Sequence, residues 1–437
     1  MNTLNLRKIL LFLGDAVCLY LALLGMVFFG FWNEFNWEVF SFHLIPFSIL
    51  YLFWLIIFYT FGLYDLKITR TSFSFYPKFI GATATCLVLG IVFFYLTPFF
   101  EITPRTNLAL NILIFGILFG GWRKLFYLLF SSRLLNRIAI VGKNSQLPEL
   151  TKEIIARPYL GYNLVTLDLN QNLFSQIQEK KIDTLIVPTS LNSNSKLSES
   201  LYQCLPARIS FINWTHAYES ICEKVPVSLV AQTWFLENLR EGEKILYDNI
   251  KKLTDLILAS TLLLITFPLW LLIALAIKLE DKGPIFYRQK RIGKDKNPFS
   301  LFKFRSMRSE AEKSTGPVWA QKDDSRVTKV GKILRNTHLD ELPQMINVLK
   351  GELSLVGPRP ERPEFVEQLE KEVPHYHIRH LIKPGFTGWA QTKFRYGRSI
   401  TDSQEKLQYD LYYLKNRNPL LDLGILLKTL QFFFKKE

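Results

Sequence analysis

Thr254–Ile277 reads TDLILASTLLLITFPLWLLIALAI, an apolar run long enough to cross a bilayer, with Pro268 near its middle. Lys251 and Lys252 precede it, and Lys278, Lys282, Arg288, Lys290 and Arg291 follow it. Cationic flanks are biased to the cytoplasmic side of a membrane, so a simple crossing would leave one of them on the wrong side. A proline inside a helix removes a hydrogen bond and clashes one turn back. The run over 251–278 is therefore expected to enter one leaflet, break sharply at Phe267-Pro268 with the Thr266 hydroxyl on a freed carbonyl, and return to the same side. A plain fifth span with a kink is the other reading.

Working toward the N-terminus, Ile9–Phe31, Phe42–Gly62, Phe79–Phe100 and about Thr106–Trp122 each approach the length of a membrane span. The first is too long for the apolar part of a signal peptide and has no small-residue cleavage site after it. Arg7 and Lys8 precede the first run, Lys67, Arg70 and Lys78 separate the second from the third, and Arg123, Lys124, Arg133 and Arg137 follow the fourth. The two alternate connections carry Glu34 and Glu38, and Glu101, with little positive charge. This pattern puts the N-terminus and everything after residue 131 in the cytoplasm. Residues 1–131 then form a four-helix transmembrane bundle. Asp15 is the exception to its lack of ionisable groups, which argues for an anchor or dimerisation element over a transporter.

Composition agrees. The chain of 437 residues is 49% hydrophobic and 14% aromatic, with only 21% charged residues and a net charge of +15. That profile excludes a disordered chain and a small disulfide scaffold. Cys18, Cys86, Cys204 and Cys222 form no CxxC pair and read as reduced thiols. The basic balance fits an anionic membrane face, with no nucleic acid required.

From residue 132 to 243 the pattern changes. Ile138–Gly142, Leu164–Leu167, Thr184–Val187 and Ile209–Ile212 are short β-branched runs separated by polar helical stretches, which predicts a Rossmann-like α/β module with a parallel sheet. Val141-Gly142-Lys143 stands where a dinucleotide fingerprint would begin, but the later glycines are absent, so the module is read as having no nucleotide.

Residues 244–437 carry the chemistry. Lys303 and Arg305 are two apart on a predicted strand and project from one face, suited to a diphosphate; a solvated basic edge is the alternative. Arg335-Asn336-Thr337-His338-Leu339-Asp340-Glu341-Leu342-Pro343-Gln344 places two carboxylates side by side. Neighbours on a helix point about 100° apart, so they do not face each other as an acid/base pair. They can divide nucleophilic attack and divalent-cation binding between them, or simply start a helix with Thr337 or Asp340 as its cap. Gly357-Pro358-Arg359-Pro360 holds an arginine in a rigid turn suited to phosphate. The last helix, Leu420–Phe434, reads equally as a membrane-surface or a core helix.

Taken together, Lys303-x-Arg305, Leu339-Asp340-Glu341-Leu342-Pro343-Gln344, Asn347-Val348-Leu349-Lys350-Gly351, Leu353–Pro360, Lys383–Gln391 and Tyr409-Asp410-Leu411-Tyr412-Tyr413 resemble the bacterial sugar transferase family of monotopic polyprenyl-phosphate phosphoglycosyl transferases. The upstream plan is similar to its large members, which start polysaccharide or O-antigen synthesis. The resemblance implies a mainly α catalytic domain with a re-entrant membrane helix, held at the bacterial cytoplasmic (inner) membrane. It implies transfer of a hexose-1-phosphate, galactose or glucose favoured, from a UDP-sugar to undecaprenyl phosphate with release of UMP. Asp340 would be the nucleophile carrying an aspartyl-phosphosugar. Glu341 would hold Mg²⁺, and Lys303, Arg305, Arg335 and Arg359 would bind phosphate. Family members commonly break the helix at Ser-Pro, where this chain has Phe267-Pro268 and Thr266 stands as substitute. A UDP-releasing glycosyltransferase and a non-catalytic assembly scaffold are the rival readings. Inner-membrane lipid is an expected partner, and the bundle and module offer surfaces for a homodimer.

Overall fold

The computed structural model describes residues 3–32, 35–64, 75–97, 100, 104–130, 136–142, 147–157, 162–188, 196–308, 326–394 and 399–434. Of the charges used above, Glu34, Lys67, Arg70, Glu101, Arg133 and Lys143 lie outside the described residues. The chain divides into two compact units, 1–221 and 222–437.

The first unit begins with four helices, α1 (Thr3–Gly30), α2 (Trp37–Thr60), α3 (Phe75–Leu96) and α4 (Pro104–Phe130). Each contains a stretch long and apolar enough to cross a membrane. Their inward faces share one core that includes Leu19, Leu23, Phe47, Trp54, Phe58, Phe115 and Phe119, while Val17, Leu52, Val88 and Ile117 point outward. The sequence places Arg123 at an interfacial end. Instead it is buried: it donates from Nη2 to Asp15 at 2.6 Å and from Nη1 to the Leu63 carbonyl at 3.0 Å. The buried carboxylate of Asp15 is thereby paired, as an apolar surrounding requires.

The α/β part follows: β1 (Asn136–Ile140), α5 (Leu147–Ala156), β2 (Tyr162–Val165), α6 (Leu173–Glu179), β3 (Thr184–Val187), α7 (Lys196–Tyr202), β4 (Ser210–Asn213) and α8 (Trp214–Cys222). The strands form a parallel sheet in the order β2-β1-β3-β4. The β-branched runs fall on these strands because both faces of a parallel sheet are covered; Ala139, Val141 and Leu185 sit in the core between sheet and helices.

The second unit contains α9 (Gln232–Asn238), α10 (Ile245–Glu280), the hairpin β5 (Phe286–Ile292) and β6 (Pro298–Phe304), α11 (Lys329–Asn336), α12 (Gln344–Leu349), β7 (Ser354–Val356), α13 (Pro363–Glu372), β8 (Gly385–Thr387), α14 (Trp389–Lys393), α15 (Ile400–Asn416) and α16 (Pro419–Phe434). Val225, Val227, Val230 and Phe235, which precede the sequence-derived boundary at 243/244, share a core with Val366, Leu369, Leu407 and Leu411 of this unit.

Helix α10 runs through Pro268 as a single element, so the expected break at Phe267-Pro268 does not interrupt the helix. Pro268 lacks the N–H that would reach the carbonyl of Leu264, yet the Thr266 hydroxyl donates elsewhere, to the Leu262 carbonyl at 2.7 Å, and accepts from the Trp270 indole at 3.2 Å. A threonine hydroxyl on a helix reaches back only to its own preceding turn, which is why it serves this carbonyl. Both flanks of the proline pack on the same unit: Ala259 against Leu301 and Met345, and Ile273 and Ile277 against Phe304, Leu334 and Leu342. Between them Leu264, Ile265, Phe267, Leu271 and Leu272 are exposed. In α16, Ile425 is fully buried in the same core as Ala259, while Leu420 and Leu423 are exposed.

Asn347 of α12 fixes the hairpin. It is fully buried, donates from Nδ2 to the Ser300 carbonyl and to Glu352, both at 2.7 Å, and accepts from the Phe302 amide at 3.0 Å. Asn347→Ala strands those groups inside the protein and is expected to cost about 2–4 kcal/mol, read as a lowered unfolding temperature of the purified full-length chain.

Candidate active site

Three segments of the second unit converge on one carboxylate. Strand β6, held by Asn347, presents Lys303, whose Nζ donates to Glu341 Oε1 at 2.7 Å. The turn after β7 presents Arg359, whose Nη2 donates to the same oxygen at 2.6 Å. Glu341 itself lies in a 3₁₀ turn, Leu339–Glu341, between α11 and α12.

Local sequence explains that turn. Thr328 caps α11 by accepting from the Gly331 amide at 2.9 Å. Gly331 rests on the backbone of Ser306, where an added Cβ would come within 2.0 Å of the Ser306 carbonyl oxygen, so only glycine lets the helix approach this closely. Arg335, in the last turn of α11, donates from Nε to Ser306 Oγ at 2.9 Å. His338 then takes left-handed backbone angles, φ +53°, and the chain swings inward. Asp340 and Glu341 are both buried as a result. Neither Thr337 nor Asp340 caps the next helix: Thr337 ends α11, and Pro343 stands at the start of α12. The reading of this segment as a mere capped helix start is thus corrected.

The two carboxylates differ in surroundings. Burial pushes Glu341 up, but Arg359 and Lys303 override it and hold the group well below the usual carboxylate range. Burial also pushes Asp340 up; there the charges of Lys303 and Arg335 do not cancel it, and the neighbouring Glu341 adds to the rise. Asp340 has no side-chain hydrogen-bond partner among the described residues. One carboxylate is locked and anionic, and its neighbour is unengaged and more basic than an ordinary aspartate. A basic, unpaired carboxylate beside cations is what nucleophilic attack on phosphorus needs.

Arg359 is itself fixed from behind. Buried Arg379 donates from Nη2 to the Arg359 carbonyl at 2.8 Å, from Nη1 to Tyr376 at 2.7 Å, and pairs with Asp410 at 2.8 Å. Arg291 donates to the next carbonyl, that of Pro360, at 3.0 Å. The turn is fastened at two successive carbonyls while 42% of the Arg359 side chain remains exposed to a ligand. Sequence reading found Arg359 but not this support. Its signal was present in Arg379 and in the Tyr409-Asp410 motif, without any indication that the two meet.

Arg305 is placed differently from Lys303. It follows β6, is buried, and faces the end of α10, donating to the Asp281 carbonyl at 2.7 Å with the Asp281 carboxylate at 3.5 Å. Thr266, Phe267 and Pro268 lie on α10. Among the described residues no three His, Cys, Asp or Glu side chains gather as a metal cluster. A Mg²⁺ ion, usually held by one or two carboxylates together with substrate phosphates and water, would find carboxylate oxygens here on Asp340, which has no side-chain hydrogen-bond partner among the described residues, and on Glu341, whose two cationic contacts both fall on Oε1.

Residues 246–436 match the family described as bacterial sugar transferase. Over 376 residues the chain is 30% identical to the undecaprenyl-phosphate glucose phosphotransferase of Komagataeibacter xylinus, covering 81% of this chain and 70% of the relative. The chain belongs to the bacterial sugar transferase family. A second relative, 44% identical over 186 residues, is the UDP-N-acetylgalactosamine-undecaprenyl-phosphate N-acetylgalactosaminephosphotransferase of Aeromonas hydrophila, with 43% of this chain and 44% of the relative covered. A third, 42% identical over 198 residues, is the UDP-glucose:undecaprenyl-phosphate glucose-1-phosphate transferase of Xanthomonas campestris pv. campestris, with 44% and 41% covered. The chain thus spans less than half the length of the second and third relatives, and those matches are of a length with the 246–436 segment that holds the carboxylate pair.

A buried carboxyl whose folded-state pKa is raised destabilises the fold above that pKa, and the cost vanishes below the unfolded value of about 3.9. Asp340→Asn is therefore expected to raise the unfolding temperature at pH 7, with the gain shrinking as the pH is lowered toward 4. Thermal scans of both proteins across that range check it.

Proposed function

We propose that this protein moves a hexose-1-phosphate from a UDP-sugar to undecaprenyl phosphate. The observation that carries the reading is the unengaged, basic Asp340 beside a Glu341 clamped by Lys303 and Arg359. An Asp340 oxygen attacks the sugar-linked phosphorus, and the bond from that phosphorus to the UMP oxygen breaks. UMP leaves with the electron pair, and an aspartyl-phosphosugar remains. An oxygen of undecaprenyl phosphate then attacks the same phosphorus and returns Asp340 to its carboxylate. Lys303 and Arg359 keep Glu341 ionised and face the incoming phosphates, with Arg335 adding positive charge toward Asp340. Glu341 is the proposed holder of Mg²⁺, which when bound neutralises diphosphate charge. Arg305, though directed at Asp281, is a further candidate for phosphate through its buried Nη1, which has no hydrogen-bond partner among the described residues.

The placement at the membrane follows the same logic. Helices α1–α4 form the transmembrane bundle, with the N-terminus and the second unit on the cytoplasmic side of the inner membrane. Helix α10, proposed to bend at Pro268 while staying helical, enters one leaflet and returns. Its cationic flanks and the packing of both its ends on one unit, with exposed leucines between, support this. A cytosolic nucleotide sugar then meets a lipid phosphate at the headgroup plane. The long match to a relative named for glucose supports a hexose donor, with galactose the other candidate.

Nucleotide release by nanodisc-embedded protein with undecaprenyl phosphate, Mg²⁺ and a panel of UDP-sugars tests the reaction. UMP is expected; UDP would indicate an ordinary glycosyltransferase and overturn it. Asp340→Asn should lower UMP release by on the order of a thousandfold or more. Excess EDTA should stop it, and full activity in EDTA would remove the metal role from Glu341.

A further inference from the structure

A second cationic site lies away from the carboxylate pair. A cavity of about 140 Å³ opens beside the first turns of α10, and neither Asp340 nor Glu341 lines it. Its walls carry five cations. Arg417 is spent on Glu241 and Asp248, and Lys251 on Asp422. The remaining three, Lys252, Lys294 and Lys383, have no ion pair or hydrogen bond from their ammonium groups among the described residues. The carboxylate of Asp255 faces them, but its oxygens already accept from the Ser354 hydroxyl at 2.7 Å and the Leu355 amide at 3.1 Å. Burial, then the nearby charge of Lys252 with Lys294 adding to it, push the Lys383 ammonium below its ordinary value despite Asp255, so Lys383 feels both of the other lysines of the cavity wall. Five cations against the carboxylates of Glu241, Asp248 and Asp255 leave the cavity wall positive, which suits an anion.

The surroundings say which anion. Lys252 stands two residues before the apolar run of α10, at the height where such a helix meets the interface. Leu253, Leu256 and Ile257, directly beyond it, are exposed apolar side chains. A ligand seated on the lysines would therefore continue along hydrocarbon-like surface. We infer that the Lys252-Lys294-Lys383 cavity binds the phosphate of an anionic membrane phospholipid, whose acyl chains lie along the exposed face of α10. This rests on the proposed membrane placement of α10, and not on the chemistry at Asp340. Such a lipid would hold the base of α10 against β7 and the Lys383 segment and set the depth at which the second unit rides.

Full-length protein, purified in detergent and stripped of lipid, is titrated with phosphatidylglycerol, phosphatidylcholine and inorganic phosphate and followed by native mass spectrometry. The expected result is preferential retention of phosphatidylglycerol, weakened by about tenfold or more in K252Q/K294Q/K383Q, since each basic side chain near an anionic headgroup contributes appreciably. The exposed-site variant K252Q/K294Q, which leaves half-buried Lys383 in place, should fall between. Equal phosphatidylglycerol affinity in wild type and both variants overturns the inference, as does equal retention of phosphatidylcholine by the wild type. Inorganic phosphate displacing phosphatidylglycerol at equal concentration would mean a soluble-phosphate site and also overturns it. Because the readout is retention of lipid and not transfer, its failure leaves the proposed reaction standing, and absence of UMP release leaves this site standing.

Discussion

The bond on which the second unit depends is the double acceptance at Glu341 Oε1, with Lys303 Nζ at 2.7 Å and Arg359 Nη2 at 2.6 Å. A carboxylate buried alone would neutralise itself by taking a proton. Two cations from different segments prevent that, and in doing so they tie a hairpin, a 3₁₀ turn and a proline-bounded turn to one atom. Geometry and charge state are set together. Each cation is in turn fixed by groups further out: Asn347 holds the backbone on either side of Leu301, and Arg379 and Arg291 hold the carbonyls around Arg359.

The same principle recurs in the first unit at smaller scale. Asp15 and Arg123 are 108 residues apart and meet at 2.6 Å in a mainly apolar interior. Arg123 also takes up the Leu63 carbonyl at the end of α2, so one guanidinium joins three helices. Neither charge would be tolerated there without the other.

Much of this was legible in the sequence because it is encoded locally. The four long apolar runs became α1–α4, and the four β-branched runs fell on β1–β4, since hydrophobic length and period are properties of contiguous residues. The clustering of Lys303, Asp340-Glu341 and Arg359 was legible as motifs, though not as geometry. What stayed hidden depends on tertiary partners. Arg305 looks equivalent to Lys303 by strand alternation, but β6 ends at Phe304 and Arg305 turns to Asp281 instead. Arg379 carries no mark in the sequence that it meets Asp410 and Arg359. The packing of Val225–Phe235 against Val366 and Leu411 is likewise a contact across more than 130 residues that no window of sequence contains. Proline 268 predicted a disruption that the backbone absorbs within a continuous helix.

The unequal carboxylates carry a consequence in simple charge arithmetic. Counting only the candidate site residues, Lys303, Arg335 and Arg359 are three positive groups against the two negative groups Asp340 and Glu341, a surplus of one. A proton on Asp340 would raise that surplus to two without moving an atom of the protein, whereas a phosphoryl group joined to its oxygen brings a negative charge of its own and would leave the surplus at one. The pocket's hold on anions is therefore not a constant of the fold. It would tighten while Asp340 holds a proton and relax when the carboxylate is set free, so the ionisation of this one side chain would set how firmly its surroundings grip a phosphate.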